Sequence, residues 1–365
     1  MYEAKRIRII VAGGGTGGHL FPGIAVAREL MSKGDVSILF VGTDRKINVE
    51  ALRRYGFSFK TIRAEGIKGR GVVGTVRALA MVPLAILQTL AILRDFRPHL
   101  ILGVGGYVSG PVTLGGWLMG IKTAIQEQNS IPGLTNRILG HIVDRIFISY
   151  PESGDYFPGR KAMLTGNPVR KDLLDSVGKG GEVDDLFTVL VLGGSQGAHR
   201  INELITAALA GLNDLKERLY FIHQTGEKDE VWVGEAYQQA GVKATVSAFI
   251  NDMGWAYGRA SVVVCRAGAG TLAELTAIGK PALLIPYPYA ANNHQEVNAR
   301  CLERAGAAKV YLQADLRPDI LAREIKSLYD DQSALKNMAS RSLTLGKSNA
   351  AALIAEECLK MIGGE

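Results

Sequence analysis

The chain has 365 residues, 47% hydrophobic and 21% charged, which is longer than one ordinary core usually grows and excludes wholesale disorder. Its three cysteines (Cys265, Cys301, Cys358) are scattered without CxxC spacing, so a disulfide framework or zinc site is excluded and a reducing compartment is expected. A net charge of +7 and a pI near 9.2 admit nucleic acid, an anionic membrane surface or a phosphate-rich substrate as partner.

Basic residues precede the apolar run Ile9–Ala12, but glycines end it at once. It therefore reads as a buried first strand over 6–12, not as a signal peptide, and a cytoplasmic protein is expected. A helix follows over 18–33, stopped by Gly34, and further strands are predicted at 36–41, 100–104, 122–126 and 144–149. Short apolar runs separated by helices predict a parallel sheet covered on both faces. Two uncharged stretches invite a membrane reading, but Ala78–Leu93 has only 16 residues and contains Pro83, while 100–121 is broken by glycines and Pro111. A spanning helix wants about 20 apolar residues. The segment Leu164–Val169 (LTGNPV) has the punctuation of a connector, and after the polar stretch Ser176–Asp185 the pattern starts again. Strands are predicted at 187–192, 220–224, 243–247, 261–265 and 281–285, and a final apolar-rich helix at 350–361 is placed to pack back on the first half.

The two halves open alike. V-A-G-G-G-T-G-G-H (Val11–His19) matches V-L-G-G-S-Q-G-A-H (Val191–His199) at Val, three Gly and His. Paired Rossmann-like domains facing one another across a cleft are the expected architecture.

Six segments carry candidate chemistry. Glycines 13, 15 and 18 satisfy GxGxxG, which brings amides and a helix N-terminus to a diphosphate, with Asp35 or Asp44 at ribose spacing. His19 lies at the mouth of that turn and is either a proton acceptor for an attacking hydroxyl or a histidine that only hydrogen-bonds the turn. In C-R-A-G-A-G-T-L-A-E (Cys265–Glu274) a helix begins after glycines. Thr271 and Glu274 have capping-box spacing, but the same geometry can hold an α-phosphate, with Glu274 on ribose hydroxyls. The loop Pro286–Asn298 offers His294, Gln295 and Asn298 to sugar hydroxyls, or is simply solvated. Gly103–Pro111 and Glu127–Asn136 supply Tyr107, Ser109, Glu127 and Asn129, suited to a pyrophosphate-bearing acceptor or to ordinary turns. Lys68, Arg70, Arg77 and Arg94 border the apolar helix that runs through Val72, Val73, Leu79, Met81, Leu84, Ile86 and Leu87, which is either ordinary core packing or, as the basic flanks favour, a monotopic contact with anionic lipid. There is no GxxxxGK[ST] loop, D-x-D triplet, GxSxG or HExxH, so neither a cofactor nor a catalytic metal is implied.

Taken in order, GGGTGGH, GGYVSGP, EQNSIPGLTN, TGNPVR, GGSQGA, RAGAGTLAE and HQEVNA span nearly the whole chain. Together they resemble the lipid II-forming N-acetylglucosaminyltransferases of bacterial peptidoglycan synthesis, a GT-B glycosyltransferase family. The resemblance implies an α/β fold of two Rossmann-like, doubly wound parallel-sheet domains around a central cleft. Residues 1–168 would form an acceptor- and membrane-contacting domain, 169–345 a UDP-GlcNAc-binding domain, and the helix 346–365 would cross back to the first. It implies inverting transfer of GlcNAc from UDP-GlcNAc to the 4-hydroxyl of MurNAc in lipid I, a step of cell-wall biogenesis on which cell shape and division depend. The expected location is peripheral, on the cytoplasmic face of the plasma membrane. Expected partners are UDP-GlcNAc, lipid I, anionic lipid and other cell-wall synthesis proteins, not nucleic acid.

Carried over by position, Thr16, Gly17 and Gly18 border the donor sugar, and Asn129, Arg170 and Ser195 match donor-contacting positions. Ile250 meets uracil through its backbone. Ala269, Gly270, Thr271, Leu272, Ala273 and Glu274 hold phosphate and ribose, and Gln295 the GlcNAc hydroxyls. Tyr107 and Glu127 belong to the acceptor side, and His19 and Glu127 both qualify as catalytic base. Two departures stand out: Ala267 replaces a hydroxyl in the phosphate turn, and aliphatics replace expected aromatics in the basic-apolar segment, leaving Trp117 to serve there. The rival readings are an NAD(P)-dependent oxidoreductase resting on GxGxxG alone, a UDP-GlcNAc 2-epimerase, and a non-catalytic UDP-sugar-binding module.

Overall fold

The structure is a computed structural model that describes residues 6–14, 17–44, 46–64, 72–177, 186–194 and 197–364, with backbone alone at 46–48 and 72–79. It divides into two compact units, Met1–Arg170 with Lys347–Glu365, and Lys171–Gly346.

The first unit contains strands β1 (Ile7–Gly13), β2 (Val36–Gly42), β3 (Ser58–Thr61), β4 (Leu100–Gly105), β5 (Lys122–Glu127), β6 (Arg145–Ile148) and β7 (Ala162–Leu164). They form one seven-stranded sheet, order β3-β2-β1-β4-β5-β6-β7, and each pairing is parallel. Its helices are α1 (Gly17–Ser32), α2 (Lys46–Arg54), α3 (Val72–Phe96), α4 (Ser109–Leu118), α5 (Leu134–Leu139) and the C-terminal α14 (Ala350–Gly363). Ile9, Ile10, Val11 and Ala12 are fully buried, as an unbroken apolar run in a doubly covered parallel sheet must be. On one face Ile9 and Val11 join Ile24 and Leu30 of α1 and Ile354, Ala355 and Cys358 of α14 in a single core. Burial raises the Cys358 thiol pKa, which keeps it a packing group rather than a nucleophile.

The second unit contains β8 (Phe187–Leu192), β9 (Leu219–Gln224), β10 (Lys243–Ser247), β11 (Val262–Cys265), β12 (Ala282–Leu284) and β13 (Ala308–Val310), in the order β10-β9-β8-β11-β12-β13. These pairings are also all parallel. Its helices are α6 (Lys171–Ser176), α7 (His199–Ala208), α8 (Glu230–Ala240), α9 (Met253–Arg259), α10 (Ala269–Ile278), α11 (His294–Arg304), α12 (Pro318–Asp330) and α13 (Gln332–Leu345). Each unit is thus a Rossmann-like parallel sheet, as expected. In both, strand order reverses beside the first strand (β1 next to β4, β8 next to β11), which opens a ligand crevice at the carboxyl ends there.

Three strands escaped the sequence reading: β3, β7 and β13, all at sheet edges and only three or four residues long. Edge strands are covered on fewer sides, so they need no continuous apolar run to announce them. No helix among the described residues is long and apolar enough to cross a membrane. The helix α3 reaches 25 residues with Pro83 inside, burying Ala85, Thr89 and Leu93 while leaving Leu84 and Leu87 exposed.

Candidate functional site

In the first unit the turns after β1 and β4 are pressed together. Gly105 and Gly106 have φ of +99° and +80°, and a Cβ on Gly105 would lie 2.6 Å from Nδ1 of His19. The imidazole therefore rests against bare backbone, an approach only glycine permits. Gly17, Gly18 and His19 form the opening turn of α1, where amides lack intrahelical acceptors and the helix dipole is positive. Tyr107 follows the same glycines, half-buried against the sheet core. Ser109 is fully buried and packs under Gly103, so its hydroxyl is not brought to the surface with the others.

Glu127 ends β5 and is only 2% exposed. Its Oε1 accepts from the Asn129 backbone N–H at 3.0 Å and from Asn129 Nδ2 at 3.2 Å. Its Oε2 accepts from Gly133 N–H at 3.2 Å and from Asn136 Nδ2 at 2.8 Å. Burial raises its pKa, and these four bonds pull the other way. The carboxylate thereby ties up the loop 129–136, and Asn129 is anchored again by Ser153, whose hydroxyl donates to its carbonyl at 2.9 Å. Arg170 donates to the Tyr55 hydroxyl at 2.8 Å and stacks over Phe21, 4.6 Å from the ring centre. Phe21 lies two residues after His19, so the guanidinium is docked on the helix that His19 opens.

In the second unit the candidate residues sit on loops and on the first turns of helices that follow the carboxyl ends of the strands. The helix α10 has Gly268 as its N-cap, with no side-chain cap. The capping-box reading of Thr271 and Glu274 is therefore not what this helix uses. Its first intrahelical bond runs from Leu272 N–H to Gly268 O at 3.0 Å, which leaves the amides of Ala269, Gly270 and Thr271 without intrahelical acceptors. Leu272 is 1% exposed and faces the core, so it can serve a ligand only through its backbone. Ala273 and Glu274 are half-buried, and Glu274 Oε2 accepts from the hydroxyl of fully buried Tyr257 at 2.9 Å. Ala267 is fully buried. Ile250 also buries its side chain, and its N–H donates to Gln224 Oε1 at 3.0 Å. Gln295 Oε1 accepts from Tyr287 N–H at 2.9 Å, which aims the amide and fixes the loop between them. Thr16 and Ser195 lie outside the described residues, as do Lys68 and Arg70 and the side chain of Arg77.

Two residues of this surface were not singled out by sequence reasoning. Arg266 donates to the carbonyls of Ile285 and Pro286 at 3.1 and 3.2 Å and to Gln313 Oε1 at 2.6 Å. Its guanidinium also lies 5.5 Å from the Tyr287 ring centre, so it braces the loop that Gln295 closes. A lone arginine between a buried strand and a glycine turn was the available signal. Gln224, the last residue of β9, gave none.

Two profiles of glycosyltransferase family 28 match the chain, the N-terminal domain over residues 9–148 and the C-terminal domain over 188–357. A protein of Syntrophus aciditrophicus (strain SB), named UDP-N-acetylglucosamine–N-acetylmuramyl-(pentapeptide) pyrophosphoryl-undecaprenol N-acetylglucosamine transferase, is 49% identical over 357 residues, covering 98% of this chain and 99% of that protein. The crystal structure of Acinetobacter baumannii MurG superposes with a TM-score of 0.78 at 28% identity, covering 97% of this chain and 99% of that one. A UDP-N-acetylglucosamine 2-epimerase structure reaches a TM-score of 0.72 at 15% identity, covering 99% of this chain and 98% of that one, a likeness of fold alone.

Proposed function

The chain belongs to glycosyltransferase family 28, and from that premise we propose that it transfers GlcNAc from UDP-GlcNAc to the 4-hydroxyl of MurNAc in lipid I, forming lipid II. The observation that carries the donor half is the start of α10, three amides without intrahelical acceptors beside a glutamate already oriented by a buried tyrosine. Amides and helix dipole stabilise the charge that builds on the departing diphosphate. Glu274 takes ribose hydroxyls, the Ile250 backbone takes uracil, and Gln295 takes the GlcNAc hydroxyls, its oxygen already committed and its NH₂ group facing the sugar. The second unit is thus assigned the donor, and Lys347–Glu365 goes with the first.

The first unit is assigned the acceptor. The MurNAc 4-hydroxyl attacks the anomeric carbon, the bond from that carbon to the β-phosphate oxygen breaks, and UDP departs with inversion. The hydroxyl proton passes to His19, since an imidazole is suited to general-base work. Glu127 is the weaker candidate, because both its oxygens already accept two hydrogen bonds each and it is nearly inaccessible. It holds Asn129 and its loop in place. By position in the family, Arg170, Thr16, Gly17, Gly18 and Ser195 are assigned to the donor and Tyr107 to the acceptor. Ser109 is given a packing role.

Membrane contact is assigned to the first unit. Leu84, Leu87, Trp117, Leu118 and Met119 are exposed on α3 and at the end of α4, and Arg94, in the last turn of α3, is exposed too. An apolar patch with basic neighbours suits the cytoplasmic face of an anionic bilayer, where lipid I would be met. This use of the basic excess favours membrane and diphosphate over nucleic acid.

Transfer of labelled GlcNAc from UDP-GlcNAc to a lipid I analogue tests the reading. Wild type should turn over, His19→Ala should lose at least a hundredfold in kcat, and Glu274→Ala should chiefly raise the donor KM. A folded wild type that binds UDP-GlcNAc but transfers nothing would sink the assignment and favour the epimerase or binding-module readings.

A further inference from the structure

Gln224 occupies a place that the chemistry described so far does not use. It ends β9, neighbour of the central strand β8, and is 5% exposed. Its side-chain amide reaches in two directions at once. The NH₂ group donates to the carbonyl of Gly194, in the glycine turn after β8, at 2.9 Å. The oxygen accepts the backbone N–H of Ile250, in the loop after β10, at 3.0 Å. One buried side chain therefore spans two loops on either side of its own strand.

The neighbouring backbone leaves little room for slack. Gly197 has φ of +76°, and a Cβ there would run into the backbone of Thr225 and Gly226. Thr225 N–H and Gly226 N–H donate to Ser247 and Ala248 carbonyls, each at 3.0 Å. The end of β9 is thus wedged between the β8 turn and the β10 loop, and Gln224 is the side chain that pins both. A neutral amide can donate to a carbonyl and accept from an N–H together. A carboxylate would set charge against the Gly194 oxygen, and a thioether would hold neither partner.

We propose that Gln224 is a positioning residue for nucleotide recognition, fixing the Ile250 peptide and the Gly194 turn as one rigid edge against which a uracil nucleotide is read. This rests on the donor assignment above. The physical advantage is pre-organisation: loops already held in place are not ordered at the expense of binding. Gln224 need not touch the nucleotide. Because it acts on the ground-state fit of a part of the donor remote from the reacting bond, its loss should move KM and leave kcat almost unchanged.

The test uses the full chain and three readouts. Gln224→Met, close in volume but unable to make either bond, should weaken UDP binding about tenfold, raise the UDP-GlcNAc KM similarly, and leave kcat at saturating donor within threefold. The preference for UDP over CDP should shrink in the same variant, which a merely structural loss would not produce. Unchanged UDP affinity in a folded Gln224→Met protein overturns the proposal, and so does an equal fall in UDP and CDP affinity. Should the variant not fold, amide hydrogen exchange on nucleotide-free wild type decides. A slowly exchanging Ile250 N–H supports the clamp, and exchange at the rate of an open loop overturns it. A wild type that fails to bind UDP refutes the donor assignment instead, a result distinct from fast exchange at Ile250.

Discussion

His223, one residue before Gln224, makes a pH prediction whose size can be worked out. The ring is fully buried, with Nε2 3.0 Å from Asn202 Oδ1 and Nδ1 3.1 Å from the Tyr237 hydroxyl. Asn202 Nδ2 is committed to the Thr225 carbonyl and to Asp229 Oδ2, so its Oδ1 can only accept, and the proton on His223 belongs on Nε2. The Tyr237 hydroxyl then donates to Nδ1. A second ring proton would oppose that donor and place a charge where no water reaches, and burial depresses the pKa from 6.5 to about 3. The sign follows: below pH 6.5 the unfolded chain binds a proton that the folded chain refuses, so folding stability falls as pH falls, until about pH 3. Each pH unit is worth about 1.4 kcal/mol, so lowering pH from 6.5 to 5.0 should remove about 2 kcal/mol from the second unit.

The neighbours do not mask this window. Hydrogen bonding to Asp229 raises the His199 pKa, so its contribution is complete below pH 6.5 and fades only as pH rises through the raised value. For Asp229, burial pushes the pKa up, but bonds from Trp232, His199 and Asn202 outweigh it and leave the pKa lowered. Its contribution is kept above the ordinary value of 3.8 and lost only in more acid solution. Tyr237 is raised by burial and titrates only in alkali. The assay is urea unfolding followed by tryptophan fluorescence in a Trp117→Phe background, which leaves Trp232 and Trp255, both in the second unit, as the probes. Wild type should lose about 2 kcal/mol more than His223→Gln between pH 6.5 and 5.0. Parallel losses in the two proteins would refute the buried neutral imidazole.

Two further expectations concern the site. Tyr257→Phe removes the hydroxyl that orients Glu274, and should raise the donor KM roughly tenfold, as befits a hydrogen bond to a charged group, with kcat little changed in the transfer assay. A fall confined to kcat would contradict that role. Glu127→Gln sets an NH₂ group against two N–H donors, because each carboxylate oxygen already accepts two. It should lower the stability of the first unit by about 1.5–3 kcal/mol in thermal or urea unfolding. Unchanged stability with a thousandfold loss of kcat would instead make Glu127 the base.

Much of the architecture was legible in the chain because it rests on local chemistry. Apolar runs such as Phe187–Leu192 can only be strands buried on both faces, and the glycines that end them mark where backbone must turn or approach closely. The repeated turn before His19 and His199 announced two Rossmann-like units. The short edge strands β3, β7 and β13 carried no such signal, since their pairing comes from neighbours already in place. The side-chain roles were decided by tertiary structure. Sequence spacing offered Thr271 and Glu274 as a capping box, but Tyr257, 17 residues earlier, takes the Glu274 carboxylate, and Gly268 caps the helix. The family resemblance left both His19 and Glu127 as candidate bases. Only the fold sets the imidazole against Gly105 and encloses the carboxylate in four hydrogen bonds, because burial and hydrogen-bond saturation belong to groups brought together from distant parts of the chain.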